Sequence, residues 1–101
     1  MITVLFYCTG KPGTETELRE RLVEMQGVSR DKDRAVNYTF MQQKDAPLRW
    51  ALFEQWRDKV HLAQHVESMK QHFGEPPEGA RLPARLHKLI DHSDFTFYSV
   101  I

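Results

Sequence analysis

Residues 49–56 read Arg-Trp-Ala-Leu-Phe-Glu-Gln-Trp, and how these eight side chains are shared between two faces decides the architecture. The segment is rich in aromatic and aliphatic residues, so a strand is expected over Arg49–Trp56. A strand sends successive side chains to opposite sides. Trp50, Leu52, Glu54 and Trp56 then share one face, and Ala51, Phe53 and Gln55 the other. An antiparallel sheet with one face in water alternates apolar with polar residues. This strand is apolar on both faces, so both faces need cover.

The neighbours extend the sheet. Upstream, Ala35–Gln43 is predicted as a strand, with Val36, Tyr38 and Phe40 on one face and Asn37, Thr39 and Met41 on the other. Lys44-Asp45-Ala46-Pro47 reads as the hairpin loop between the two. Ile2–Cys8 is another strand, closed by the turn Thr9-Gly10-Lys11-Pro12-Gly13. Thr14 and Glu17 have the spacing of a capping box. Leu18, Leu22 and Met25 follow as one apolar helical stripe, with Gly27 as the expected C-cap and Ser29–Arg34 as a polar turn. Downstream, Asp58 is placed to cap a second helix reaching about His72. Gly74–Gly79 (GEPPEG) reads as a loop, Pro83–Ile90 as a short amphipathic helix through Leu82, Leu86 and Leu89, and Asp94–Ile101 as a last strand.

The order β-α-β-β-α-(short α)-β is that of an α+β, ferredoxin-like βαββαβ domain: a four-stranded antiparallel sheet with two helices on one face. A single domain over residues 1–101 is expected. Two helices leave the second sheet face bare. The economical cover is a second copy of the chain, a homodimer packed sheet to sheet about a two-fold axis.

Composition narrows the function. Fourteen basic and fourteen acidic residues cancel, which argues against a polybasic surface for nucleic acid or anionic lipid. The one cysteine, Cys8, excludes an internal disulfide and suits a reducing compartment or indifference to redox state. The first ten residues lack the basic start and small-residue cleavage pattern of a signal peptide, and no apolar run is long enough for a membrane span. A cytoplasmic protein with no membrane or nucleic-acid partner is expected. Gly-rich phosphate loops, paired CxxC motifs and nucleophile elbows are absent.

The second helix carries most of the candidate chemistry. Leu62, Val66, Met69 and Phe73 fall on one arc, and His61, His65, Ser68 and His72 line its edge. A histidine there is either a satisfied boundary residue or a base and hydrogen-bond donor at the rim of a cavity, with His65 the best placed. The His61–His65 spacing suits two metal ligands, but Leu62 stands where a zincin motif needs Glu, so no metal is expected. Glu54, among aromatics, needs a partner, either a histidine or a basic residue. Trp56 and Tyr38 are either core or walls of an aromatic pocket.

Phe53-Glu54-Gln55-Trp56-Arg57-Asp58, His65-Val66-Glu67-Ser68 and His72-Phe73 together resemble the antibiotic biosynthesis monooxygenase family. Tyr38, Phe40 and the closing Tyr98-Ser99-Val100-Ile101 fit the same pattern. The resemblance implies a dimeric α/β barrel with a pocket between sheet and helices in each subunit. It also implies a monooxygenase acting on a quinol or a related aromatic or polyketide-like molecule with dioxygen alone, without cofactor. On that reading His65, Trp56 and Glu54 are catalytic, and Tyr38, Phe40, His61, Met69, His72 and Phe73 bind substrate. Haem-degrading relatives carry an Asn on the first strand, which Ile2–Cys8 lacks, and Gly74–His92 is longer than the family pattern. A ligand-binding protein without catalysis, and an isomerase or lyase on a small carbonyl compound, are the other classes the same pocket would suit.

Overall fold

Strand β1 (Ile2–Gly10) lies inside a four-stranded antiparallel sheet, paired with β3 (Arg49–Trp56) on one side and β4 (Ile90–Ser99) on the other. Strand β2 (Asn37–Gln42) pairs with β3 at the far edge, giving the order β2-β3-β1-β4. Helix α1 (Glu15–Asp31) joins β1 to β2, and α2 (Lys59–Phe73) leads from β3 towards the short α3 (Ala84–His87) before β4. This computed structural model describes residues 1–101 and has the expected ferredoxin-like βαββαβ order. No helix is long and apolar enough to cross a membrane.

Period-two burial sets the sheet's orientation. Trp50, Leu52, Glu54 and Trp56 are all buried, as are Val4, Phe6 and Cys8 beside them on β1. Helix α1 covers this face with Leu18, Leu22, Met25 and Ser29, and α2 with His65, Met69 and Phe73. The opposite face carries no helix. Tyr7, Met41 and Tyr98 point there and are each about half exposed, at 52%, 48% and 50%.

Several boundaries differ from the sequence expectation, each for a local reason. Gly27 does not end α1. The buried stripe continues to Ser29, and the last turn closes through Lys32 N–H to the Val28 carbonyl at 2.8 Å. Packing of that face outweighs the roughly 1 kcal/mol by which glycine disfavours a helix interior. Thr14 makes no side-chain cap either. Its hydroxyl instead donates to the Lys11 carbonyl at 2.6 Å, fastening the β1–α1 turn. β1 runs on to Gly10, while Val36 falls just outside β2 and is 43% exposed. β4 starts at Ile90, not Asp94, because Gly10 pairs with Ile90 across a register shift. It ends at Ser99.

Two glycines give opposite expectations. A Cβ on Gly10 would come within 2.5 Å of Leu18 Cδ2 and 3.1 Å of Leu48 Cδ2, and Leu18 is wholly buried and cannot yield. A Cβ on Gly27 would meet nothing within 4 Å. In urea unfolding, Gly10→Ala is expected to cost about 1–3 kcal/mol by overpacking. Gly27→Ala is expected to add about 0.5–1 kcal/mol by restricting the unfolded chain. A neutral Gly10→Ala would refute the close approach of β1 to α1.

Candidate active site

Between the sheet and its helical cover lies a cavity of about 140 Å³. Its floor comes from all four strands: Val4 and Phe6 of β1, Tyr38 and Phe40 of β2, Leu52 and Glu54 of β3, Phe95 and Phe97 of β4. Leu22 and Met25 of α1 and Leu62, His65 and Met69 of α2 close it from above. The lining is apolar apart from a few groups, so those few carry any chemistry the cavity performs.

His65 lies in the buried row of α2 with Met69 and Phe73, not along its edge as the helical arc suggested. Val66 reaches the cavity lining but is 45% exposed. The histidine's partner comes from Ser29–Arg34, the segment expected as a polar turn. Asp33 Oδ2 lies 2.7 Å from His65 Nδ1, and the two side chains are only 6% and 7% exposed. An ionised Asp33 fixes the proton on Nδ1 and leaves Nε2 with its lone pair. Asp33 is brought there by the short link from α1 to β2, where Arg34 adopts a left-handed φ of 56°. Two rings flank the imidazole: Trp56 with centroids 4.4 Å away and Tyr38 at 5.3 Å.

Glu54 and Trp56 partner one another. The indole N–H of Trp56 donates to Glu54 Oε1 at 2.7 Å, both residues being buried on the same face of β3. The carboxyl thus finds neither the histidine nor the basic residue expected for it. Trp56 is wholly buried behind His65 and does not line the cavity, whereas Tyr38, Phe40, Glu54, His65 and Met69 do. The remaining sequence candidates lie elsewhere. His61 Nδ1 is 2.8 Å from Asp58 Oδ1 at the start of α2. His72 Nδ1 is 2.9 Å from the Ser68 carbonyl, and Phe73 is enclosed in the core. His61 and His65 therefore hold different carboxylates, and no three His, Cys, Asp or Glu side chains converge as a metal site would require.

Burial sets the electrostatics. It pushes the Glu54 carboxyl up to about 7, against the smaller opposing effect of the Trp56 hydrogen bond. It pushes His65 below its ordinary value, while the hydrogen bond and charge of Asp33 work in the other direction. Burial, and then the charge of Glu54, hold the Tyr38 phenol well above its usual range. The Cys8 thiol is pushed up to about 12, which rules out a thiolate near neutral pH. Near pH 7 the cavity therefore presents a neutral imidazole acceptor and a carboxyl poised between its two states.

These shifts fix the pH dependence of stability. Glu54 binds its proton more tightly folded than unfolded, so its contribution weakens as pH rises from about 4.5 through about 7. His65 acts in the opposite sense: folding disfavours the imidazolium, so stability is lost as pH falls below 6.5. Glu54→Gln keeps an acceptor for Trp56 and removes the first titration. Urea unfolding at pH 5 and 8 is expected to show the variant gaining, relative to the parent, on the order of 3 kcal/mol at the higher pH. Parallel pH profiles for the two proteins would show that Glu54 ionises as it does in water.

Known structures share this architecture. Rv0793 of Mycobacterium tuberculosis is similar over 99% of this chain and 94% of its own, at 20% identity and a TM-score of 0.76. A conserved protein from Methanosarcina mazei Go1 is similar over 96% and 89%, at 20% identity and a TM-score of 0.76. A protein solved as an antibiotic biosynthesis monooxygenase is similar over 100% and 99%, at 12% identity and a TM-score of 0.75. At these identities the likeness is one of fold. No curated protein matches the chain. The family model described as Antibiotic biosynthesis monooxygenase matches residues 1–75, which span β1 to the end of α2 and contain Asp33, Glu54 and His65, and the chain belongs to that family.

Proposed function

We propose that the protein is a cofactor-independent monooxygenase that oxidises a quinol or a related aromatic with dioxygen. The observation that carries this reading is the buried Asp33–His65 pair at the wall of an apolar cavity. An electron-rich phenolate is what dioxygen can oxidise directly, and an apolar cavity with one oriented base is what forms it.

In this reading His65 Nε2 takes the phenolic proton, and Asp33 stabilises the resulting imidazolium. The phenolate passes one electron to dioxygen, and the semiquinone–superoxide pair recombines at a ring carbon. The peroxide takes up a proton, for which the Glu54 carboxyl is poised. Loss of the ring C–H proton and cleavage of the O–O bond release water and leave a new carbonyl. The sum is quinol plus dioxygen to hydroxyquinone plus water. Tyr38 and Phe40 supply aromatic walls for the ring, and Met69 fills beside it. Trp56 acts from behind, holding Glu54 and backing the imidazole.

A positioned base contributes roughly 10²–10⁴-fold. Oxygen uptake with a panel of para-quinols is expected to fall by about 100-fold or more in His65→Ala. Asp33→Asn should lower it as well, by releasing the ring's tautomer and orientation. Uptake by the parent no faster than by His65→Ala would sink the reading. Turnover under nitrogen would favour an isomerase or lyase, and tight ligand binding without reaction would favour a binding protein.

The open sheet face supports a second proposal, that two copies pack sheet to sheet. Leu5, Tyr7, Met41, Phe53 and Tyr98 leave apolar surface there with no covering element of the same chain. Light scattering at micromolar concentration is expected to give about twice the 11.9 kDa chain mass. A value at the chain mass would refute this.

A further inference from the structure

The reactive end of the cavity is deeply buried: His65, Glu54 and Tyr38 are 5%, 4% and 2% exposed. The other end opens to solvent and is built differently. Pro76, Arg81 and Leu82 come from the α2–β4 connection, and Phe95 and Phe97 from β4. All five lie beyond residues 1–75, the part the family model matches.

Two cations stand at the mouth, Arg81 and Lys70. Arg81 forms no ion pair. Its guanidinium carbon lies 5.9 Å from the ring centroid of Phe95 and 5.7 Å from that of Phe97. Aromatic faces steady a guanidinium while leaving its N–H donors free for another partner. Lys70 Nζ reaches only to 4.0 Å from Glu67 Oε2, and Glu67 is exposed, so that contact holds the ammonium weakly. Asp94 borders a separate, more open hollow that Arg81 also touches, and it does not line the cavity. The only carboxylate lining the cavity is Glu54, at the buried end.

Size constrains what fits. The cavity, about 140 Å³, is close to the ~150 Å³ of an engineered cavity that holds benzene. A single ring suits that volume, and a short substituent on it would meet Arg81 and Lys70, which belong to the same lining. A planar guanidinium matches a carboxylate through two parallel N–H···O bonds.

We infer that the aromatic ligand of this cavity carries a carboxylate on a short tail, bound at the mouth by Arg81 and Lys70 while the ring lies towards His65. The ring's orientation rests on the proposed monooxygenase reading; the anion site does not. A neutral quinol lacking the acid is then a poor substrate, and the α2–β4 connection sets specificity.

The test compares 3-(4-hydroxyphenyl)propanoate with its primary amide by calorimetry under nitrogen. The parent protein is expected to bind the acid about tenfold or more tightly than the amide, as charge-assisted bidentate bonds allow. Arg81→Gln should remove most of that preference, and Arg81→Gln with Lys70→Gln the rest. Arg81→Lys should restore part of it, and added salt should shrink it. Equal binding of acid and amide, no measurable binding of the acid, or a preference that Arg81→Gln leaves intact would overturn the inference. Oxygen plays no part in this measurement. An acid preference without oxygen uptake by the corresponding quinol would count against the monooxygenase reading alone.

Discussion

Two helices are asked to cover one face of a four-stranded sheet, and they cannot fill it. Helices α1 and α2 bury the middle of that face through Leu18, Leu22, Met25, Met69 and Phe73. What they leave over all four strands is the cavity, and the α2–β4 connection roofs the remainder with Leu82, Pro83 and Leu86. The site is thus a product of the layer geometry. Glu54 stands on a strand and His65 on a helix, which hold them more rigidly than loops would, while the loop residue Asp33 is fixed by its bond to His65.

That origin explains the chemistry of the few polar groups inside. A carboxyl or an imidazole in an apolar layer is costly unless paired. The structure pairs them within short reach, Glu54 with the indole of Trp56 and His65 with Asp33. The two pairings differ in kind. A neutral N–H donor leaves Glu54 free to hold a proton near pH 7, whereas a carboxylate fixes which nitrogen of His65 is bare. One cavity therefore contains a carboxyl that burial raises to about 7 and an imidazole that burial lowers from 6.5, the reverse of their ordinary order.

Much of this was legible in the sequence, and the remainder was hidden for definite reasons. The eight residues of β3 carried a period of two strong enough to place Trp50, Leu52, Glu54 and Trp56 on the buried face. They also carry Ala51 and Phe53 to the other face, which no helix covers. His65 stood out because it neighbours an apolar stripe. Asp33 did not, because its partner lies 32 residues away and only the fold joins a loop carboxylate to a helix histidine. Trp56 reads from the sequence as either core or pocket wall; its N–H finds the nearest acceptor, two residues back on its own strand, and the ring is core. Gly27 misled because helix-ending propensity is a weak preference beside a buried stripe that runs on to Ser29.

The position of β1 bears on how the molecule assembles. Residues 2–10 precede every other element of the domain yet form an inner strand, and their partners are residues 49–56 and 90–99. Ile2 is finally matched with Ser99. Until β4 has been made, β1 presents a bare hydrogen-bonding edge and Val4, Phe6 and Cys8 lack part of their cover. Pairing over such separations is slow to find, because the loop must close before any contact rewards it. Until then the nascent domain is an incomplete sheet, exposed to mispairing with other chains. Arrival of the last ten-residue strand converts that open intermediate into a closed domain.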